Sequence, residues 1–458
     1  TVMKNNDKLK KMVLLTGDIA VLYASLYLAL LFRYWQKPAA EMWQSHFWPF
    51  TIIFAAWIVI FYIAGLYDLR SAINNLRFFR LVNYSLFAAI LVALTFFYTA
   101  PQIGITPKTN LLIYIIVFYI LFFLWRRLFN FSLKSYLPKK NIAIVGLNKQ
   151  AEELINELKN KPHLGYNIEF IISADKDGAA ETSGIYIEKN IANLEKLITE
   201  KKINIIILSS DLNESPSLRA ALFQCLPLKI NFASLPHFYE NITGKIPIET
   251  IGQNWFLENL SEGNKILFDF FKRAYDIFLA LIILIATIPF WPLLALIIKI
   301  GSKGNIFFRQ ARMGQNGRLF SMIKFRTMTT SGNDLSPTAV GDKRITGFGS
   351  ILRKTRIDEI PQTINILKGE MSFVGPRPER PELVTELEKE IPFYKERTLV
   401  KPGATGWDQV SGEYHSPSRE DSLKKLQYDL FYIKNRSIYL DLSIILKTIA
   451  TVLSRGGR

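Results

Sequence analysis

Apolar residues gather into four long runs near the start of the chain, roughly 12–35, 46–66, 81–100 and 110–125, with short polar stretches between them. Each has about the 17–25 residues that a helix needs to cross a hydrocarbon core. Four transmembrane helices are therefore predicted within residues 1–135. Basic residues orient them. Lys4, Lys8, Lys10 and Lys11 precede the first run, Arg70, Arg77 and Arg80 lie between the second and third, and Arg126, Arg127, Lys134, Lys139 and Lys140 follow the fourth. The opposite loops hold only Lys37 and Lys108, with Arg33 near one helix end. Lys and Arg accumulate on the cytoplasmic side of a membrane, so the N-terminus and everything after the fourth helix are expected in the cytoplasm. The basic start runs into the first span with no small-residue cleavage pattern, so no signal peptide is expected.

From Asn141 the period changes. Asn141–Val145 reads as a buried strand, Gly146 as a turn and Lys149–Lys159 as an amphipathic helix, followed by strand-like runs Ile168–Ile172, Ile203–Leu208 and Lys229–Ala233. This is a doubly wound pattern, which predicts a Rossmann-like cytosolic domain over 140–240 and a linker over 241–266. Its turn keeps a single glycine of the G-x-G-x-x-G series, which argues for a structural or regulatory domain rather than a working dinucleotide site. A fifth apolar run, Ile277 to Ile298, has Lys272 and Arg273 before it and Lys299 and Lys303 after it. A full crossing would carry the remaining basic chain outside. Pro289 and Pro292 offer a break instead, because proline inside a helix removes a backbone bond and clashes with the preceding turn. A re-entrant membrane hairpin is predicted over 267–303, broken at Pro289, with a cytosolic domain over 304–458.

A hydrophobic fraction of 49% with 33 Phe and 8 Trp fits lipid-embedded spans attached to soluble parts. The net charge of +17 calls for an anionic partner, and nucleic acid, anionic lipid and diphosphates all qualify. No base-reading module is recognisable, which argues against nucleic acid. Cys225 is the single cysteine, excluding an intramolecular disulfide and a cysteine zinc site; it lies in an apolar stretch and reads as core. His46, His163, His237 and His415 have no metal-ligand spacing.

The chemistry concentrates after the fifth run, in Phe308-Arg309-Gln310-Ala311-Arg312-Met313-Gly314, Lys324-Phe325-Arg326-Thr327-Met328, Arg353 to Gln362, and Gly375-Pro376-Arg377-Pro378. Arginine forks match phosphate oxygens and lysine adds point charge, while adjacent Asp358 and Glu359 could supply a nucleophile and a metal ligand. Pro361 suits the first turn of a helix, which would put both acids at a helix N-terminus, where ionised carboxylates and phosphate are favoured.

With Lys401-Pro402-Gly403-Ala404-Thr405-Gly406-Trp407, these ordered motifs make the chain from about Phe270 onward resemble the bacterial sugar transferase family, the monotopic polyprenyl-phosphate glycosyl-1-phosphate transferases. The four spans and the Rossmann-like part are similar to the large members of that family. The resemblance implies a membrane protein with a four-helix bundle, a Rossmann-like cytosolic domain and a C-terminal α/β catalytic domain in the inner membrane. It implies transfer of a sugar 1-phosphate from a UDP-sugar to undecaprenyl phosphate with release of UMP, initiating exopolysaccharide, capsule or O-antigen synthesis. Asp358 falls on the nucleophile of a ping-pong reaction and Glu359 on a ligand of the cofactor Mg2+. Arg353 and Arg377 match arginines expected to contact nucleotide or phosphate, and Pro376, Pro378, Lys324, Arg326, Arg309 and Asp429 complete the implied substrate-binding set. Large members also suggest a homodimer. The chain departs from the family pattern at Arg356, where a small hydroxyl residue is common, and at Asp408, where a small apolar residue is common.

Overall fold

Aromatic residues spaced by a helical turn build the first part of the structure. Four long helices, α1 (Val2–Tyr34), α2 (Ala40–Ile63), α3 (Leu76–Thr99) and α4 (Pro107–Ser135), each contain an apolar stretch long enough to cross a membrane. Phe50, Trp57 and Phe61 of α2 meet Tyr114, Phe118 and Phe122 of α4 at ring-centroid distances of 5.2, 5.2 and 5.1 Å. Such edge and offset contacts add attraction beyond simple burial, and they hold α2 to α4 where lipid provides no hydrophobic drive between helices. Near one end of the bundle, buried Arg126 of α4 is paired with Asp18 of α1 at 2.5 Å and donates to the Leu66 carbonyl at 2.6 Å.

The computed structural model describes residues 2–69, 74–99, 107–135, 139–172, 185–188, 193–209, 215–260, 265–329, 342, 344–411 and 418–453. Arg70 and His415 lie outside these, as do the side chains of Lys4, Lys8, Arg77, Lys108 and Lys134. The chain divides into two units, Thr1–Thr243 and Gly244–Arg458.

The first unit continues with β1 (Lys140–Val145), α5 (Lys149–Asn160), β2 (Tyr166–Ile172), β3 (Tyr186–Glu188), α6 (Leu194–Glu200), β4 (Ile203–Leu208), α7 (Pro216–Gln224), β5 (Asn231–Ser234) and α8 (Leu235–Thr243). The five strands form one parallel sheet in the order β3-β2-β1-β4-β5. The winding therefore reverses between β1 and β4, as the alternating pattern predicts. Ile142–Val145 are fully buried because helices cover both faces of a parallel sheet. Asn148 caps α5 by accepting the Ala151 amide at 2.8 Å. Cys225 is buried with Leu218 and Leu222.

The second unit begins earlier than the pattern predicts. Residues 241–266, expected as a linker, contain α9 (Gln253–Asn259), and Ile246, Ile248, Ile251 and Leu260 enter the same core as Val374, Leu426 and Ile433. These four apolar residues, spread over a turn-rich stretch, carry no periodic signal, and only their partners far away in the sequence bury them. Next come α10 (Ile266–Thr287) and α11 (Trp291–Gly301), separated by a single 3-10 turn, Ile288–Phe290. A 3-10 turn thus falls at Pro289, and the backbone angles stay right-handed through it. Both arms pack on one hairpin: Ala280 touches the cluster around Phe320 and Met322, and Ile298 that around Phe325. Their other faces leave Phe278, Ile285, Phe290, Leu293 and Ile300 more than half exposed. So much apolar surface requires a non-aqueous surrounding.

The remaining elements are the antiparallel hairpin β6 (Phe307–Met313) and β7 (Leu319–Phe325), then α12 (Gly347–Lys354), α13 (Gln362–Lys368), β8 (Ser372–Val374), α14 (Pro381–Glu390), β9 (Gly403–Thr405), α15 (Trp407–Val410), α16 (Arg419–Asn435) and α17 (Ile438–Leu453). β8 and β9 pair in parallel. Gly375 and Gly403 let the two short motifs touch backbone to backbone: a Cβ on Gly403 would lie 2.1 Å from the Gly375 amide nitrogen, and one on Gly375 2.4 Å from the Lys401 carbonyl. Any side chain at either position would force the strands apart.

Candidate active site

The site is built where α12 ends. Arg356 takes a left-handed conformation, φ 57°, which turns the chain out of α12 and into a 3-10 turn, Ile357–Glu359. Pro361 is the cap of α13, not a residue of its first turn. Asp358 and Glu359 therefore sit in the 3-10 turn that precedes the helix, one step earlier than the sequence predicts. Asn365 fixes this segment against the hairpin, accepting from the Ile323 amide at 3.1 Å and donating to the Ser321 carbonyl at 2.8 Å.

The two carboxylates have opposite surroundings. Glu359 Oε1 accepts from Lys324 Nζ at 2.7 Å and lies 3.3 Å from the Arg377 guanidinium, and Oε2 lies 3.4 Å from Arg356. Burial pushes its carboxyl up, but Arg377, Lys324 and Arg356 together outweigh burial and hold it well below the usual range. Asp358 is buried, and its Oδ1 has no hydrogen-bond partner among the described residues. Burial and the neighbouring Glu359 charge raise its carboxyl to about 6, against the pull of Lys324, Arg353 and Arg356. One acid is thus committed to cations, and the other keeps an oxygen without a partner among the described residues. Burial lowers the Lys324 ammonium, partly countered by Glu359.

The residues predicted from sequence separate into groups. Asp358, Glu359, Lys324 and Arg377 come together directly. Arg353 bonds Thr327 Oγ1 at 2.9 Å and the Met328 sulfur at 3.0 Å, within electrostatic reach of Asp358. Pro376 accepts the Gly403 amide at 2.9 Å and Pro378 accepts from Arg312 at 3.0 Å, so both shape the loop that carries Arg377. Arg326 is buried and donates to the Ser302 and Lys303 carbonyls at 2.7 and 3.2 Å, fastening the end of α11 rather than joining the carboxylates. Arg309 is on β6, opposite Ile323. Asp429 of α16 accepts from Arg397 at 2.8 and 3.1 Å, and Arg397 in turn donates to the Arg377 carbonyl at 3.1 Å. Burial raises the Asp429 carboxyl to about 7 against the pull of Arg397. Its link to the site therefore runs through Arg397.

Arg356 and Arg397 are not among the site residues that the sequence motifs indicate. Arg356 had a signal, a charged residue where a small one is common, but only its left-handed backbone shows why it faces Glu359. Arg397 lies in an unremarkable stretch 20 residues from Arg377, and nothing in the local pattern reveals it. A cavity of ≈ 210 Å³ opens beside Glu359 and Arg356, walled by Phe373, Thr405, Gln409 and Ile445. It is smaller than the ~300–1,000 Å³ of a typical ligand pocket, so it has room for one part of a substrate.

The model of the family described as bacterial sugar transferase matches residues 267–455. A UDP-glucose:undecaprenyl-phosphate glucose-1-phosphate transferase of Klebsiella pneumoniae is 30% identical over 387 residues, 81% of this chain and 80% of that one. The chain belongs to the bacterial sugar transferase family. Another UDP-glucose:undecaprenyl-phosphate glucose-1-phosphate transferase, from Xanthomonas campestris pv. campestris, is 33% identical over 69% of this sugar transferase and 67% of its own length. A UDP-N-acetylgalactosamine-undecaprenyl-phosphate N-acetylgalactosaminephosphotransferase of Aeromonas hydrophila is 37% identical over 52% of this chain, which spans about half, 55%, of that relative. A second family model, described as a CoA-binding domain, matches residues 62–236. The protein is an enzyme, and all motifs of the site fall inside the transferase match.

Proposed function

We propose that this transferase moves a sugar 1-phosphate from a UDP-sugar to undecaprenyl phosphate, releasing UMP, through a phospho-sugar held on Asp358. The observation that carries this reading is the division between the two acids: Glu359 is locked by three cations, while Asp358 has an Oδ1 without a partner. A carboxylate oxygen of Asp358 attacks the β-phosphorus as the bond to the bridging oxygen breaks, and UMP leaves with that oxygen. An oxygen of the lipid phosphate then attacks the same phosphorus and displaces the aspartate. Two displacements suit one soluble and one membrane-bound substrate. Lys324, Arg356 and Arg377 supply fixed positive charge for the diphosphate as its leaving oxygen gains charge.

A magnesium ion fits this donor set. It takes one or two carboxylates and otherwise keeps water and phosphate oxygens. Glu359 would hold it in exchange for part of its contact with Lys324, Arg356 and Arg377, and the adjacent Asp358 has an Oδ1 without a partner among the described residues. Bound there, the ion would neutralise the diphosphate. The excess of Lys and Arg on one side of the four spans supports a site on the cytoplasmic side of the inner membrane, and a run α10–α11 that dips into one leaflet and returns would keep it there. The test is purified protein with UDP-sugar, magnesium and undecaprenyl phosphate: UMP release is expected, with a phospho-sugar adduct on intact mass before lipid is added. Equal UMP release by Asp358→Asn would overturn the nucleophile.

A further inference from the structure

The first unit carries a groove that transfer chemistry does not use. It has a volume of ≈ 1160 Å³ and lies where α3 begins and α4 nears its end, the end of the bundle with the basic residues. Its polar lip holds Arg80, Arg127 and Asn75, and its walls are Phe79, Leu128 and Phe131. Arg126, next in sequence, spends its charge internally on Asp18. Arg80 and Arg127 are exposed, and among the described residues they have no ion pair and no acid lines the groove. Asn75 Oδ1 accepts the Phe78 amide at 2.8 Å, leaving its amide N–H groups for another oxygen.

We propose that this groove binds an anionic glycerophospholipid of the bilayer, its headgroup phosphate between Arg80 and Arg127 and an acyl chain along Phe79, Leu128 and Phe131. Two unpaired guanidiniums match phosphate oxygens in fork geometry. The apolar wall matches a chain, and the volume exceeds what a free phosphate would fill. The exposed faces of Leu124, Leu128 and Phe131 continue from the groove onto the lipid-facing side of α4. A ligand entering from the bilayer therefore needs no passage through water. Bulk anionic phospholipid, abundant at such an interface, is the occupant that mass action favours over a scarce polyprenyl phosphate. The bound lipid ties α3 to α4 at an end where Asn74 already donates to the Arg127 carbonyl at 3.1 Å.

The test is the melting temperature and lipid retention of the full chain in phosphatidylcholine nanodiscs with and without phosphatidylglycerol. Phosphatidylglycerol is expected to raise the wild-type midpoint by roughly 5 °C, as a saturating ligand of the folded state does, and to be retained on native mass spectrometry about tenfold above R80Q/R127Q. K10Q/K11Q removes the same charge from the same end of the bundle and should keep both effects. If the double variant fails to fold, R80Q and R127Q are measured singly, each expected to retain less phosphatidylglycerol than wild type. Equal shift and retention in the R80 and R127 variants, equal loss in K10Q/K11Q, or displacement of phosphatidylglycerol by stoichiometric undecaprenyl phosphate would overturn the proposal.

Discussion

Replacing Asp358 by asparagine should make the protein more stable while stopping its chemistry. Burial and Glu359 raise the Asp358 carboxyl from 3.8 to about 6, so ionising it costs more in the folded chain than in the unfolded one. The folded protein holds its proton through a window where the unfolded chain has lost it. Stability therefore falls as pH rises from 3.8 to about 6 and stays reduced above that. A gap of about two pH units is worth roughly 3 kcal/mol at 1.36 kcal/mol per unit. Asparagine has nearly the same shape and no charge to desolvate. At pH 7.5 Asp358→Asn should gain about 2–3 kcal/mol, a rise of roughly 5–10 °C in the midpoint of the catalytic unit. The gain should shrink to about half at pH 5, where wild-type Asp358 is itself largely protonated. Differential scanning fluorimetry at both pH values, without substrate, measures this. A variant that melts at or below wild type at pH 7.5, or a gap that ignores pH, would refute the assignment of Asp358 as a strained, uncommitted carboxylate.

The same carboxyl sets the pH profile: with a value of about 6, UMP release at low donor concentration should fall about tenfold from pH 7 to pH 5, and a flat profile would count against ionised Asp358 as the attacking group. Lys324→Met removes a cation that opposes the rise of Asp358 as well as the 2.7 Å partner of Glu359. Its acidic limb should move to higher pH and its kcat/KM drop by about 10², of the order expected when one preorganised electrostatic partner is lost; an unmoved limb would show that Lys324 does not act on Asp358. Arg397→Met strips the buried Asp429 of its partner and should cost about 3 kcal/mol in denaturant unfolding. Asp429→Asn added to it should restore part of that loss, because the asparagine leaves no buried charge.

Much of this protein was legible along the chain. Spans set by length and hydrophobicity are local facts, since each helix must satisfy its own backbone in lipid; the four runs and the alternating strands of the parallel sheet both follow from such local patterns. Asp358, Glu359, Lys324 and Arg377 were legible too, as charged residues inside dense motifs, and the family likeness separated the roles proposed for the two acids. Tertiary structure decided how the charges pair. Arg326 has the same side chain as Arg377, yet it fastens α11 because, just past the end of β7, it reaches the Ser302 carbonyl. Asp429 reaches the site only through Arg397, contributed by a different segment. Residues 241–266 lack a periodic pattern, and only partners such as Leu426 and Ile433 make their isoleucines core. A sequence shows which groups can ionise. Which of two adjacent carboxylates stays committed to cations depends on distances of about 3 Å across elements far apart in the chain, and those exist only after the hairpin, α13 and the Arg377 loop have packed together.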